Sequence, residues 1–256
     1  MAKKLPLNKR AFGIDVSKHQ GYIDWNAIAI DESRVEFAGI RASISYSYKD
    51  PFFTDNWTEC KRVGILRAAY HVLYPAENAA AQMDNFFSQL GGDFGELPLV
   101  LDVELDHKCS KNVITLSIIS CATIIERRTG KRPIIYSRAT WINDHTNPGS
   151  WRSSFDWWLA QYYAQPRHCE EYPAPTRLPD GVETWLIHQN CQFGAPFGVP
   201  SAALDYNSFN GTADDLRKYA DQLPTYPLEE KPDLIKLTAQ VNHLVKWAET
   251  IGYKRG

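Results

Sequence analysis

The chain has no charge of either sign to spare. Its 28 basic and 30 acidic side chains leave a net charge of −2 over 256 residues. No Lys/Arg-rich block interrupts that balance, so no nucleic-acid partner is expected. No apolar run reaches the roughly 18 residues that a membrane helix needs, so no membrane span is expected either. The opening MAKKLPLNKRAFGIDV is basic but lacks the apolar core, about 7–15 residues long, of a secretory signal. The expectation is a protein made in the cytoplasm without a signal peptide. Cysteine is scarce: Cys60, Cys109, Cys121, Cys169 and Cys191 are odd in number, irregularly spaced and without a CxxC. Free thiols are the first expectation, with a Cys169–Cys191 pair as the lesser alternative. His107 beside Cys109 has no second ligand pair at zinc spacing, so neither a metal nor another cofactor is expected.

What is present is a large apolar share, 44%, enough for a substantial core. Aromatic residues make up 12% and fit either an ordinary core or rings lining a carbohydrate cleft. Eight β-rich runs recur: 11–16, 35–42, 64–72, 97–103, 132–137, 157–162, 184–189 and 202–206. Helix-like stretches separate the earlier ones. In the clearest of these, Ser110 is a candidate N-cap, Ile114, Ile118, Cys121 and Ile125 form an apolar face, and Gly130 is the stop signal. Strand alternating with helix gives an α/β class and a parallel sheet, and eight strands suggest a closed, TIM-like barrel. That unit takes residues 1–222. Residues 223–233, LPTYPLEEKPD, read as a Pro-rich connector. From 234 to 256 an apolar stripe through Leu237, Val241 and Leu244 marks a C-terminal amphipathic helix. It is expected to pack back on the barrel, with self-association through the stripe as the alternative.

The chemistry concentrates in LVLDVELD at 99–106. In a strand, residues two apart face one way, so Asp102 and Glu104 project into one space while Val103 points oppositely. Two close carboxylates in a sheltered site resist double ionisation, and one keeps a proton, as a general acid must. Asp15 closes the first run and Asp205 lies in the last. In a parallel barrel these strand ends meet on one rim, so four acids would converge, suited to a cation site or to acid-catalysed cleavage of a glycosidic bond. Tyr70 and His71, Tyr136, Gln161 and Gln189 fall near the ends of other strands and could meet sugar hydroxyls and acetamides.

Together the segments GIDVSKHQGYIDW (13–25), FAGIRAS (37–43), GILRAAYHVLYP (64–75), QMDNFF (82–87), LPLVLDVE (97–104), RPIIYS (132–137), WWLAQY (157–162) and LDYNSFNGT (204–212) resemble the glycoside hydrolase family 25 lysozymes, the Chalaropsis-type muramidases. The resemblance runs in order from about residue 11 to 220. It implies a (β/α)5(β)3 barrel and hydrolysis of the β-1,4 bond between N-acetylmuramic acid and N-acetylglucosamine, with bacterial peptidoglycan as the partner; for such a hydrolase expected to lack a signal peptide, a phage endolysin is the natural setting. Position by position it makes Glu104 the general acid, Asp102 its partner, and Asp15 and Asp205 the remaining catalytic acids, with Tyr70, Tyr136, Gln161 and Gln189 left as candidate substrate contacts. A peptidoglycan lectin on the same barrel and a chitinase-like hydrolase are the alternatives, although the longer acidic motif of the latter is not matched before Glu104. The family's Glu-Gly turn after the second strand is replaced here by SISYSYKDP at 43–51.

Overall fold

The computed structural model describes residues 10–31, 34–162, 173–192, 198–200 and 203–222; the connector, the expected C-terminal helix and Cys169 lie outside the described residues. In chain order the elements are β1 (Phe12–Val16), α1 (Trp25–Ile30), β2 (Val35–Ile44), β3 (Tyr48–Lys49), α2 (Phe53–Arg62), β4 (Leu66–Val72), α3 (Ala79–Leu90), β5 (Val100–Asp102), α4 (Lys111–Thr129), β6 (Ile134–Ser137), α5 (Ala139–His145), β7 (Trp157–Ala160), β8 (Ile187–Cys191), β9 (Asp205–Phe209) and α6 (Ala213–Gln222). The sheet runs β1-β9-β8-β7-β6-β5-β4-β2 and closes through a β1–β2 pairing, which makes an eight-stranded barrel; β3 is a two-residue flap on β2. Helices α1 to α5 each follow one of the first five barrel strands. The expected (β/α)5(β)3 order is the observed one.

The signals read from the sequence act locally. The Ser110 hydroxyl accepts from the Val113 amide at 3.4 Å to cap α4, and Gly130, at φ 69°, closes the helix in the left-handed conformation. Ile114, Ile118, Cys121 and Ile125 are all at most 1% exposed, so the α4 stripe is the face laid on the barrel. The period of two along the strands splits the apolar residues into two layers. Ala38, Ile40, Leu99, Leu101, Trp157 and Leu159 belong to the layer that includes the buried helix faces, whereas Phe37, Ala68, Val100, Ile134, Trp158, Ile187 and Phe209 form a separate cluster of opposite strand phase. Gly39 is required by close approach: a Cβ there would lie 2.5 Å from the Trp158 ring and 3.1 Å from the Asp15 Cβ.

Two expectations are corrected. The last strand was expected over 202–206, ending near Asp205 and parallel to its neighbours; it runs from Asp205 to Phe209 and is antiparallel to both β8 and β1. Asp205 therefore starts its strand, and because that strand is reversed, its start lies beside the carboxyl end of β1. Free thiols throughout were also expected. Cys191 is disulfide-bonded, while Cys60, Cys109 and Cys121 are free; an odd count is compatible with one bridge, and spacing alone carries no information on which side chains meet. No helix among the described residues is long and apolar enough to cross a membrane.

Candidate active site

Strand phase assembles the site. The residues that follow the barrel-filling cluster toward the carboxyl ends of the strands are Asp15 after Gly13, Arg41 after Phe37 and Gly39, and Tyr70 after Ala68. On the later strands they are Asp102 and Glu104 after Val100, Tyr136 and Arg138 after Ile134, Tyr162 after Trp158, and Gln189 after Ile187. All of them, with Asp205, line one cavity of about 570 Å³ whose floor includes Trp158. Sheet alternation thus changes from apolar filling to polar groups at one level of the barrel.

Asp15 and Asp205 lie directly across from each other in the β1–β9 ladder. One oxygen of Asp15, Oδ2, accepts from Gln189 Nε2 and from Asn207 Nδ2, both at 2.7 Å. Gln189 Oε1 in turn accepts from the Tyr136 hydroxyl at 2.8 Å and the Tyr162 hydroxyl at 2.6 Å. The Asp15 carboxylate can only accept, so it fixes the amide with its NH2 toward Asp15 and its oxygen toward the two phenols. Burial pushes the Asp15 pKa up, against the two amide donors and a hydrogen bond with Asp205 that pull it down. Asp205 is pushed up to about 8 by burial first and then by the charge of Asp15. A hydrogen bond between two carboxyl groups needs a proton, and near neutral pH Asp205 supplies it to Asp15.

Asp102 sits deeper than Glu104. It is 7% exposed and its Oδ1 is buried without a partner, whereas Glu104, just beyond the end of β5, is half-buried at the cavity wall. Burial raises both pKa values. For Asp102 the repulsion of Glu104 and Asp15 adds to burial and Arg41 opposes it; for Glu104 the opposing charge is Arg138. Burial thus favours the protonated form at both carboxyls, and most at Asp102, the more deeply buried of the two. Arg41 is held by Asp50, Nε to Oδ2 at 2.7 Å with both side chains at most 9% exposed, and its Nη2 has no partner. It is a fixed cation in the cavity wall with one donor unused.

The other sequence candidates fall in different places. Tyr70, Tyr136 and Gln189 line the cavity. Gln161 does not: both ends of its amide engage Thr176, Nε2 to Oγ1 at 2.6 Å and Oε1 from the backbone N–H at 2.8 Å. Its strand phase is that of Leu159, outside the barrel. His71, of the same outer phase as Leu73, is 0% exposed, with Nδ1 at 2.8 Å from the Ser43 hydroxyl and Nε2 at 3.3 Å from Gln82. Burial pushes its pKa down to about 4, so it is a neutral core residue. Sequence reasoning passed over Arg41, Arg138, Tyr162 and Asn207: Arg138 and Asn207 lie two residues from Tyr136 and Asp205, which it had chosen, Tyr162 is next to Gln161 in the opposite phase, and no residue of β2 was chosen. Among the described residues no group of three or more His, Cys, Asp or Glu is placed to hold a metal ion.

The model of the glycosyl hydrolases family 25 matches residues 14–194, a span that includes three of the four cavity acids. The chain belongs to glycosyl hydrolase family 25. It is a glycoside hydrolase of the lysozyme type. It is 33% identical over 230 residues to the uncharacterized protein YegX of Escherichia coli K12, covering 88% of this chain and 79% of YegX. It is 35% identical over 223 residues to lysozyme M1 of Streptomyces globisporus, covering 82% and 71%. A solved bacterial lysozyme from Streptomyces coelicolor superposes with a TM-score of 0.70 at 30% identity, covering 83% of this chain and 97% of that one. The family 25 barrel and the cavity at the carboxyl ends of its parallel strands are therefore one system.

Proposed function

We propose that this family 25 hydrolase cleaves the β-1,4 bond between N-acetylmuramic acid and N-acetylglucosamine in peptidoglycan, with Glu104 as general acid and Asp102 as its partner. The observation that carries the reading is the convergence of Asp15, Asp102, Glu104 and Asp205, from three separate stretches of chain, in one cavity. Glu104 stands at the wall where a leaving oxygen can reach it; Asp102 is at greater depth, where the sugar's 2-acetamido group would lie. An N–H donated by that group to Asp102 favours its carboxylate form and leaves Glu104 as the protonated acid. Glu104 then protonates the glycosidic oxygen as the acetamido oxygen attacks the anomeric carbon, and the Glu104 carboxylate afterwards takes a proton from the water that opens the cyclic intermediate, with retained configuration. Asp15 and Asp205 act at one remove, by holding one charge and one proton beside this pair. Action on the wall after release, in the manner of a phage endolysin, is the cellular setting proposed for this chemistry.

Glu104→Gln tests it. The amide keeps the shape and cannot give a proton, so clearance of a peptidoglycan suspension should fall by about 10²–10⁴-fold with the circular dichroism spectrum unchanged. Mass spectrometry of wild-type digests should find reducing muramic acid ends. Wild-type clearance by Glu104→Gln, or reducing glucosamine ends, would refute the assignment.

A further inference from the structure

A second cavity of about 320 Å³ opens between the turn after β1 and the start of α2. Tyr22 at its rim is 76% exposed and stands edge-to-face with Phe52, ring centroids 5.0 Å apart. Asn56, which lines it, is only 4% exposed. Its Oδ1 accepts from the Trp25 indole N–H at 3.1 Å; an indole can only donate, so the amide is fixed with Nδ2 as the other end. That nitrogen has no partner. Of the two carboxylates lining the cavity, Glu59 is paired with Arg62 at 2.7 Å, while Asp55 has no ion pair among the described residues.

We propose that this cavity is a second carbohydrate subsite, taking an N-acetylhexosamine unit of the polymer held in the main cleft. An aromatic face for the ring, a buried amide donor for the acetamido carbonyl, and an unpaired carboxylate for a hydroxyl are the three contacts such a sugar makes. A cationic peptide fits less well, because Asn56 offers it a donor and Glu59 is already neutralised. The position also fits. Asp50 Oδ1 accepts from the Phe52 amide at 3.0 Å, and its Oδ2 accepts from Arg41 and from the Lys18 amide at 3.0 Å. One carboxylate thus joins the wall of the second cavity to the wall of the first, and residues 16–20 of the cleft lead straight into 22–25. The subsite would hold an insoluble glycan strand near the cleft without touching the reacting bond. The choice of ligand rests on the muramidase reading above.

The test uses the full chain carrying Glu104→Gln, titrated with tri-N-acetylchitotriose while the Asn56 side-chain amide is followed by NMR. A saturable shift at Asn56, abolished by Tyr22→Ala and weakened by Asp55→Ala, is the expected result; both substitutions are at exposed positions. With Glu104 restored, each variant should clear insoluble peptidoglycan about three- to ten-fold more slowly, the scale of one lost aromatic contact, and hydrolyse a soluble muropeptide tetrasaccharide at the parent rate. An Asn56 amide that stays still at saturation, or that answers a lysine-containing stem peptide and not the sugar, overturns the proposal. So does wild-type clearance by both variants. Sugar binding at Asn56 in a chain that releases no muropeptides would uphold the subsite and defeat the muramidase assignment instead.

Discussion

Asp205→Asn should make the protein more stable at neutral pH and less active. The folded Asp205 has its pKa pushed up to about 8, against an ordinary 3.8, by burial and by the charge of Asp15. Between those two values the native chain binds a proton that the unfolded chain has lost. Stability from this group is therefore full below about 3.8, falls as pH rises, and is lost through about pH 8. At about 1.4 kcal/mol per pKa unit, the interval from 3.8 to pH 7 corresponds to roughly 4 kcal/mol. Coupling to Asp15 and partial solvent access reduce that to about 2 kcal/mol. The asparagine carries no charge to bury and can still donate to Asp15. Its melting temperature should exceed that of the wild type by roughly 4–8 °C at pH 7, at about 2–4 °C per kcal/mol for a domain of this size. At pH 4 the two proteins should melt together. Differential scanning calorimetry from pH 4 to 8 is the assay. A gain that does not grow with pH, or a loss at pH 7, would refute the account of Asp205 as the protonated member of its pair.

The neighbouring positions give sharper contrasts. Asp15→Asn should lose lytic activity less completely than Glu104→Gln, since it removes a charge beside the acid pair and not the proton donor; full activity in a turbidity assay would reduce Asp15 to scaffold. Gln189→Leu takes one of two 2.7 Å donors from Asp15 and the common acceptor from Tyr136 and Tyr162. With hydrogen bonds to charged groups at about 1.5–3 kcal/mol, clearance should drop by roughly one to two decades, and an unchanged rate would show that this network does not bear on the chemistry. Gln161→Ala loosens only the Thr176 loop contact, so wall clearance should stay within about two-fold while the melting temperature falls slightly; a large loss of turnover would return Gln161 to the site. Trp158→Ala removes the floor of the cavity and should cost about 3–5 kcal/mol in urea unfolding, a cost that an unchanged midpoint would disprove.

The barrel was legible because its signals are local and periodic. Strand runs bounded by helix caps gave eight strands in order, and α4 was readable from Ser110 to Gly130 because a cap, an apolar stripe and a left-handed glycine coincide there. The direction of β9 was not readable, since a strand carries the same alternation whichever way it runs. The inference for Asp205 reached the right rim through two offsetting errors: the strand begins where it was expected to end, and it is reversed. Phase was the unused signal. Tyr70 and His71 cannot both face the cavity, nor can Gln161 and Tyr162, because adjacent strand residues point opposite ways. Taking the phase of Asp102 and Glu104 as inward, and carrying it to other strands through their fillers Ala68 and Trp158, selects Tyr70 and Tyr162 and sends His71 and Gln161 outside. The hydrogen bonds among Tyr136, Tyr162, Gln189, Asn207 and Asp15 join residues up to 192 apart in sequence, and no local pattern encodes them.

Four carboxylates can share one cavity because they are not four charges. Asp15 with Asp205, and Asp102 with Glu104, are two pairs; burial raises all four pKa values, the charge of a neighbouring acid adds to it at Asp102 and Asp205, and Asp205 is pushed up to about 8. Arg41 in the wall and Arg138 at the lip line the same cavity. The two pairs differ in what fixes them. Asp15 is held by two amides and its partner is a neighbour in the sheet, so the proton of that pair has one place to be, on Asp205. Asp102 has an oxygen with no partner, and Glu104 sits beyond the strand end at the open side. In the proposed mechanism an incoming N–H at Asp102 changes which carboxyl of that pair holds the proton, and a proton moved to the open side is one that a glycosidic oxygen can receive.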